Sequence, residues 1–170
     1  MEGRETAGVG NDVSLRDVYG ASGHLLRRCQ QIAVAIFLNE FRETPITPIQ
    51  FSALVAIREH PGIDQKTLVN TIASDRSTVG GVVKGLEQKK FITRITPAED
   101  QRVKRLFILP AGDRFLRETQ HKSLATHRKI IAPLTAEEQE TFLRLLSKIV
   151  HTNNDYSRAP LRIGTSKDEA

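Results

Sequence analysis

Asp75-Arg76-Ser77-Thr78-Val79-Gly80-Gly81-Val82-Val83-Lys84-Gly85-Leu86 is the stretch on which the reading of the fold turns. Val79, Val82, Val83 and Leu86 recur at the spacing that lines one face of an α-helix. Asp75 or Ser74 can cap that helix, because a short oxygen-bearing side chain satisfies the unpaired amides of a first turn. The opposite face is polar and basic, carrying Arg76, Ser77, Thr78 and Lys84. A shorter helix precedes it, capped by Asp64, with Leu68 and Ile72 on its buried side. Only Ala73-Ser74 separates the two. Two short helices so joined, the second basic on its outer face, fit a helix-turn-helix.

The flanking sequence extends this unit in both directions. Phe91 to Thr96 is rich in β-branched residues and ends at Pro97, and Val103 to Leu109 reads as a return strand across the polar loop 98–102. A β-hairpin with a basic arm therefore lies directly behind the second helix. On the other side, Thr47-Pro48-Ile49-Gln50 carries the reciprocal capping pattern with proline at the first helical position. That helix should run to about His60, where Pro61-Gly62 stops it. Ser22 to Phe41 forms an earlier helix with Leu25, Leu26, Cys29, Ile32, Ala33, Ile36 and Phe37 as its apolar stripe. Pro110-Ala111-Gly112 opens a long helix lasting to about Ala132. Thr135 to Glu138 then caps a last helix bearing Phe142, Leu145, Leu146, Ile149 and Val150.

The expected architecture is mostly α with a small β-hairpin wing (α+β), a winged helix-turn-helix of six helices. The first and last two helices carry more apolar surface than the central block can cover, so they should pair with a second copy as a homodimer. The boundaries follow: a flexible N-terminal tail over 1–18, a helical dimerisation region over 19–46 and 110–156, the winged helix-turn-helix over 47–109, and a flexible C-terminal tail over 157–170.

Charge narrows the partner. From Asp75 to Arg105 there are eight basic side chains against four acidic ones, +4 in this segment when the whole chain carries +5. A positive excess gathered on one motif favours a polyanion-facing surface. No apolar run approaches the roughly 20 residues of a membrane span. The first residues lack the apolar core of a secretory signal, and one cysteine cannot close an internal disulfide. The expected compartment is the cytoplasm. No phosphate loop, nucleophile elbow or zinc-ligand spacing is present, and His121 and His127 are not spaced as a paired metal site, so neither enzyme activity, metal nor cofactor is expected. Without tryptophan and with 5% aromatic residues, the chain has little with which to stack single-stranded bases.

From about Tyr19 to Tyr156 the chain resembles the MarR family of winged-helix regulators. The resemblance rests on Thr47-Pro48-Ile49-Gln50-Phe51 opening the second helix and on Asp75-Arg76-Ser77-Thr78-Val79 with Leu86-Glu87 in the recognition helix. It rests also on Asp100-Gln101-Arg102 with Leu109-Pro110-Ala111-Gly112 in the wing. There are departures: Gly80-Gly81 stands where many members carry a Thr-Arg pair, Lys90 replaces a usual glycine, and Pro110 replaces a usual threonine. Lys90 must then adopt the positive φ that the glycine would take.

The resemblance implies a regulator of transcription that binds a double-stranded DNA operator as a homodimer, with pseudo-palindromic half-sites about 10 bp apart. Arg76, Ser77, Thr78 and Lys84 would face the major groove, and Arg102, oriented by Asp100 and accompanied by Lys104, the minor groove. The plainer alternative is that Ser77 and Thr78 only cap the helix. The family also implies a small-molecule site between the dimerisation helices and the DNA-binding lobe, often for aromatic acids. Tyr19, His24, Arg28, Gln31 and Phe51 would suit an aromatic carboxylate effector that releases a repressor from its operator. Alternatively, Arg27 and Arg28 make intersubunit salt bridges, and the protein binds DNA without a ligand. A third reading makes Cys29 a redox sensor. Its place on the apolar stripe predicts a buried, inert thiol instead.

Overall fold

The structure is a computed structural model that describes residues 13–44, 46–98 and 101–162. Among these the order is α1 (Leu15–Gly20), α2 (Ser22–Glu40), α3 (Pro48–Glu59), β1 (Ile63–Asp64), α4 (Gln65–Thr71), α5 (Arg76–Gln88), β2 (Ile92–Ile95), β3 (Arg105–Ile108), α6 (Pro110–Ile131) and α7 (Ala136–Thr152). A single 3-10 turn, Asn154–Tyr156, follows α7. No helix among the described residues is long and apolar enough to cross a membrane.

The caps that the sequence announces are made. Thr47 Oγ1 accepts the Gln50 amide at 3.3 Å while the Thr47 amide donates to Gln50 Oε1 at 3.2 Å. Thr135 and Glu138 repeat the exchange at the start of α7. Lys90, in the place of a usual glycine, takes φ 57°.

Two elements exceed the expected six helices and hairpin. α1 begins inside the stretch assigned to the N-terminal tail, because Ser14 and Asp17 close their own capping box. β1 adds a third strand, giving an antiparallel sheet in the order β1-β3-β2. Its two residues, paired Ile63 to Leu106 and Asp64 to Arg105, are too few to show a period in sequence. The C-terminal boundary also moves. Residues 157–162, expected as tail, fold back on the helix-turn-helix, where the Arg162 amide donates to the Asn70 carbonyl at 3.0 Å. Asn154 holds this segment with both ends of its amide, accepting from the Leu161 amide and donating to the Leu161 carbonyl.

One continuous core runs from Phe37 and Phe41 of the α2 end through Leu54 and Ile57 of α3 and Val79, Val83 and Leu86 of α5 to Ile92, Leu106, Phe115 and Leu116. Each fully buried aliphatic or aromatic side chain contributes roughly 1.5–3 kcal/mol. Outside that core the outer helices are bare. α7 buries none of its residues, and Phe142, Leu145 and Ile149 stay exposed. Residues 25–32 of α2 are exposed throughout, Cys29 included. The expected burial of Cys29 is therefore not found in the protomer: among the described residues, no element covers this half of the stripe.

The junction between the sheet and α6 depends on one missing side chain. A Cβ on Gly112 would lie 2.3 Å from the Phe91 carbonyl oxygen, backbone that cannot swing aside. The same carbonyl accepts the Leu109 amide at 2.8 Å, so α6 starts in direct contact with the strand end. Gly112→Ala should lower stability by about 2 kcal/mol, through overpacking, measured by chemical denaturation. Gly81→Ala, whose Cβ would meet nothing within 4 Å, should instead raise it by up to about 1 kcal/mol, from helix propensity. A Gly112→Ala protein as stable as the parent would refute the close approach.

Candidate nucleic-acid interface

α5 is held by its apolar side. Val79, Val83 and Leu86 are fully buried and Val82 nearly so, which turns Arg76, Ser77, Thr78 and Lys84 outward, all exposed. The start of the helix is organised by Asp75. Its Oδ1 accepts the Thr78 amide at 2.9 Å and the Ser77 hydroxyl at 2.5 Å, and its Oδ2 accepts the Thr78 hydroxyl at 2.6 Å. The Ser77 and Thr78 hydroxyls, with the Thr78 amide, hold the Asp75 carboxyl far below the usual carboxylate range. Both hydroxyl protons are thus committed to the cap. Their oxygens keep lone pairs, so toward a base edge these two residues act as acceptors.

The wing stands against both helices of the helix-turn-helix. Arg94 on β2 forms a two-point ion pair with Glu87 of α5, its Nε donating to Oε1 at 3.0 Å. The hydrogen bond from Arg94 keeps the Glu87 carboxyl below its ordinary value, and the charges of Arg94 and Lys104 add to this. Arg94 therefore serves to fix the wing on α5, and its charge is spent inside the protein. Arg102 and Lys104 are exposed, and with Val103 they form one wall of a groove of about 370 Å³. The other wall is the start of α4, Asp64-Gln65-Lys66. A neighbouring groove of about 290 Å³ has Gln65, Lys66 and Val69 on one side and Arg76 on the other. The surface that joins recognition helix to wing therefore includes Gln65 and Lys66. Sequence reasoning passed over both, because α4 was read only for its buried side. Asp100 lies outside the described residues.

The residues assigned to a ligand come together in part. The rings of Tyr19 and His24 are 5.4 Å apart. Gln31 Oε1 accepts from Arg28 at 3.2 Å and from Arg27 at 3.3 Å, and Arg27 lies 3.4 Å from His24 Nδ1. Tyr19, His24, Arg28 and Gln31 thus form one patch, to which the structure adds Arg27. Phe51 is elsewhere. It packs edge-on against Phe37 and Phe41 at 5.9 and 5.4 Å, and Phe37 lies about 20 Å from His24 along α2 at 1.5 Å per residue. Among the described residues, no group of three or more His, Cys, Asp or Glu is placed to hold a metal ion.

Residues 46–104 match the model of the MarR family. The chain is 30% identical over 110 residues to YybA, an uncharacterized HTH-type transcriptional regulator of Bacillus subtilis, covering 65% of this chain and 73% of that protein. It is 27% identical over 139 residues to the HTH-type transcriptional repressor NicR of Pseudomonas putida, covering 82% and 88%. Among solved structures it is similar to Bordetella bronchiseptica BpsR, whose DNA binding is regulated by 6-hydroxynicotinic acid. The TM-score is 0.72 and the identity 27%, covering 77% of this chain and 94% of that one.

The Asp75 cap has a pH signature. A carboxyl depressed in the folded state contributes stability above its unfolded pKa of about 3.9, and that contribution is lost as pH falls toward the folded value. The stability difference between the parent and Asp75→Asn should be constant from neutrality to about pH 5 and shrink below about pH 4. Denaturant titrations of both proteins across that range check it, and a difference independent of pH would contradict the cap.

Proposed function

Because the chain belongs to the MarR family of DNA-binding transcriptional regulators, we propose that it is a cytoplasmic homodimeric repressor, released from a pseudo-palindromic duplex operator by a small aromatic carboxylate. The observation that carries this reading is that Arg76 on α5 lines one groove at the start of α4 while Arg102 and Lys104 on the wing line the neighbouring one, with Gln65 and Lys66 common to both. A basic helix and a basic arm so placed fit adjacent major and minor grooves. In this reading residues 47–109 are the DNA-binding lobe, while 19–46 and 110–156 supply the dimerisation helices. The uncovered apolar faces of α7 and of the first half of α2 support it, since such faces are stable in water only when paired.

The patch of His24, Arg28 and Gln31, with Tyr19 of α1 beside it, sits on the half of α2 that the described residues leave uncovered. A second copy laid on that half would enclose the patch and provide the apolar walls that an aromatic ring needs. Arg28, with guanidinium donors beyond the one given to Gln31, would take the carboxylate. Regulation of BpsR by 6-hydroxynicotinic acid supports this ligand class. A ligand at the dimer junction would favour one relative orientation of the two DNA-binding lobes, and half-site spacing converts that orientation into affinity.

Two measurements test the reading. Arg102→Ala should weaken binding to every duplex and lower the slope of log K against log salt by about one unit. An unchanged affinity and slope would remove the wing from the interface. Calorimetric titration with 6-hydroxynicotinate and a panel of benzoates should show saturable binding that Arg28→Ala abolishes. Binding that survives the substitution would move the carboxylate site elsewhere.

A further inference from the structure

The outward face of α5 has a gap in its middle. Arg76, Gly80 and Lys84 follow one another at four-residue steps and so share that face. The central position carries no side chain, and at Gly81 beside it an added Cβ would meet nothing within 4 Å. The space over Gly80 is taken by another element: Gln65 Nε2, from the first residue of α4, lies 3.7 Å from where a Gly80 Cβ would be. Hydrogen bonding at the start of α4 is done by its neighbours, with Asp64 accepting from the Thr67 amide and hydroxyl. Gln65 also borders both grooves, between Arg76 on one side and Arg102 with Lys104 on the other.

We infer that Gln65 is a base-reading residue, its carboxamide standing in for the side chain that Gly80 lacks. This rests on the proposal that α5 enters a major groove. A carboxamide presents a donor and an acceptor side by side, the arrangement that pairs with N6 and N7 of adenine. The bare Gly80-Gly81 step lets the helix backbone come close to the DNA, which brings a side chain rooted on α4 within reach of a base edge. The preference it confers falls between the positions touched by Arg76 and Lys84 and favours adenine. Because glutamine is uncharged, this contribution is nearly independent of salt, unlike that of Arg102 or Lys66.

The test is selection of bound duplexes from a randomised pool with the parent, Gln65→Ala and Gln65→Arg, each first shown to melt and to associate as the parent does. The parent should select an adenine at one position in each half-site. Gln65→Ala should lose that preference alone, with roughly 5- to 100-fold weaker binding to the parent's best site and an unchanged salt slope. Gln65→Arg should move the preference at that position to guanine, whose O6 and N7 match a guanidinium. An unaltered base profile in both variants overturns the inference, including when Gln65→Ala binds all sequences uniformly less well, as loss of a phosphate contact would make it. A parent that selects no sequence at all would instead sink the operator-binding proposal, which separates the two failures.

Discussion

Burial of the inner face of α5 is the constraint from which the rest of the molecule follows. Val79, Val83 and Leu86 have no exposed surface, and they are locked among Leu54 and Ile57 of α3 and Ile92 and Leu106 of the sheet. A helix clamped along one stripe has no rotational freedom, since turning it would expose several buried side chains at roughly 1.5–3 kcal/mol each. The direction in which Arg76 and Lys84 point is therefore a by-product of core packing. The same clamp sets how near neighbouring elements can come. Gly85 lies so close to Gln50 that a Cβ there would be 2.6 Å from Nε2, so the capped start of α3 rests directly on α5.

The wing is tied to this helix by the buried Ile92 and Leu106 and by one ion pair. The Glu87–Arg94 pair is about one-third exposed on each side, so its contribution to stability is modest. Its geometric effect is larger, because a bidentate guanidinium fixes orientation as well as distance. β1 braces the other edge of the sheet, and Gly112 brings α6 onto the Phe91 carbonyl. The hairpin is thereby held at its base from three sides.

How much of this was legible in the sequence depends on how local each signal is. Caps and helix periods involve residues within one or two turns, so Thr47 with Gln50, Thr135 with Glu138 and the Val79–Leu86 stripe could be read directly. The positive φ of Lys90 was legible only because a family resemblance marked where a glycine usually stands. Contacts between elements were not. Gln65 over Gly80, Asn154 on Leu161 and Arg94 on Glu87 join residues whose separation carries no pattern. The charge of Arg94 is misleading for the same reason: composition records a cation, and only three dimensions record its Glu87 partner. Cys29 is exposed in the protomer: an apolar stripe says that a helix will be covered, not which chain will cover it.

The continuity of the core also limits how such a molecule can be switched. From Phe37 and Phe41, stacked at 4.2 Å, apolar contact passes without a break through α3 and α5 to Phe115 and Leu116. A close-packed body of this kind does not bend gradually under a small perturbation. Shifting α5 alone would tear its buried side chains from α3, which couples it to the whole winged helix. The freedom lies outside the core, in the exposed first half of α2 and in α7, whose packing the single chain leaves open. Residues 157–162 return from the end of α7 to α4 and fasten that outer region to the helix-turn-helix through Asn70. In the proposed reading, a change in how the outer helices pack would be carried to the lobe as rigid rotation. In a homodimer on a pseudo-palindromic operator, as proposed, two recognition helices would have to meet successive turns of the duplex and would be sensitive to such rotation.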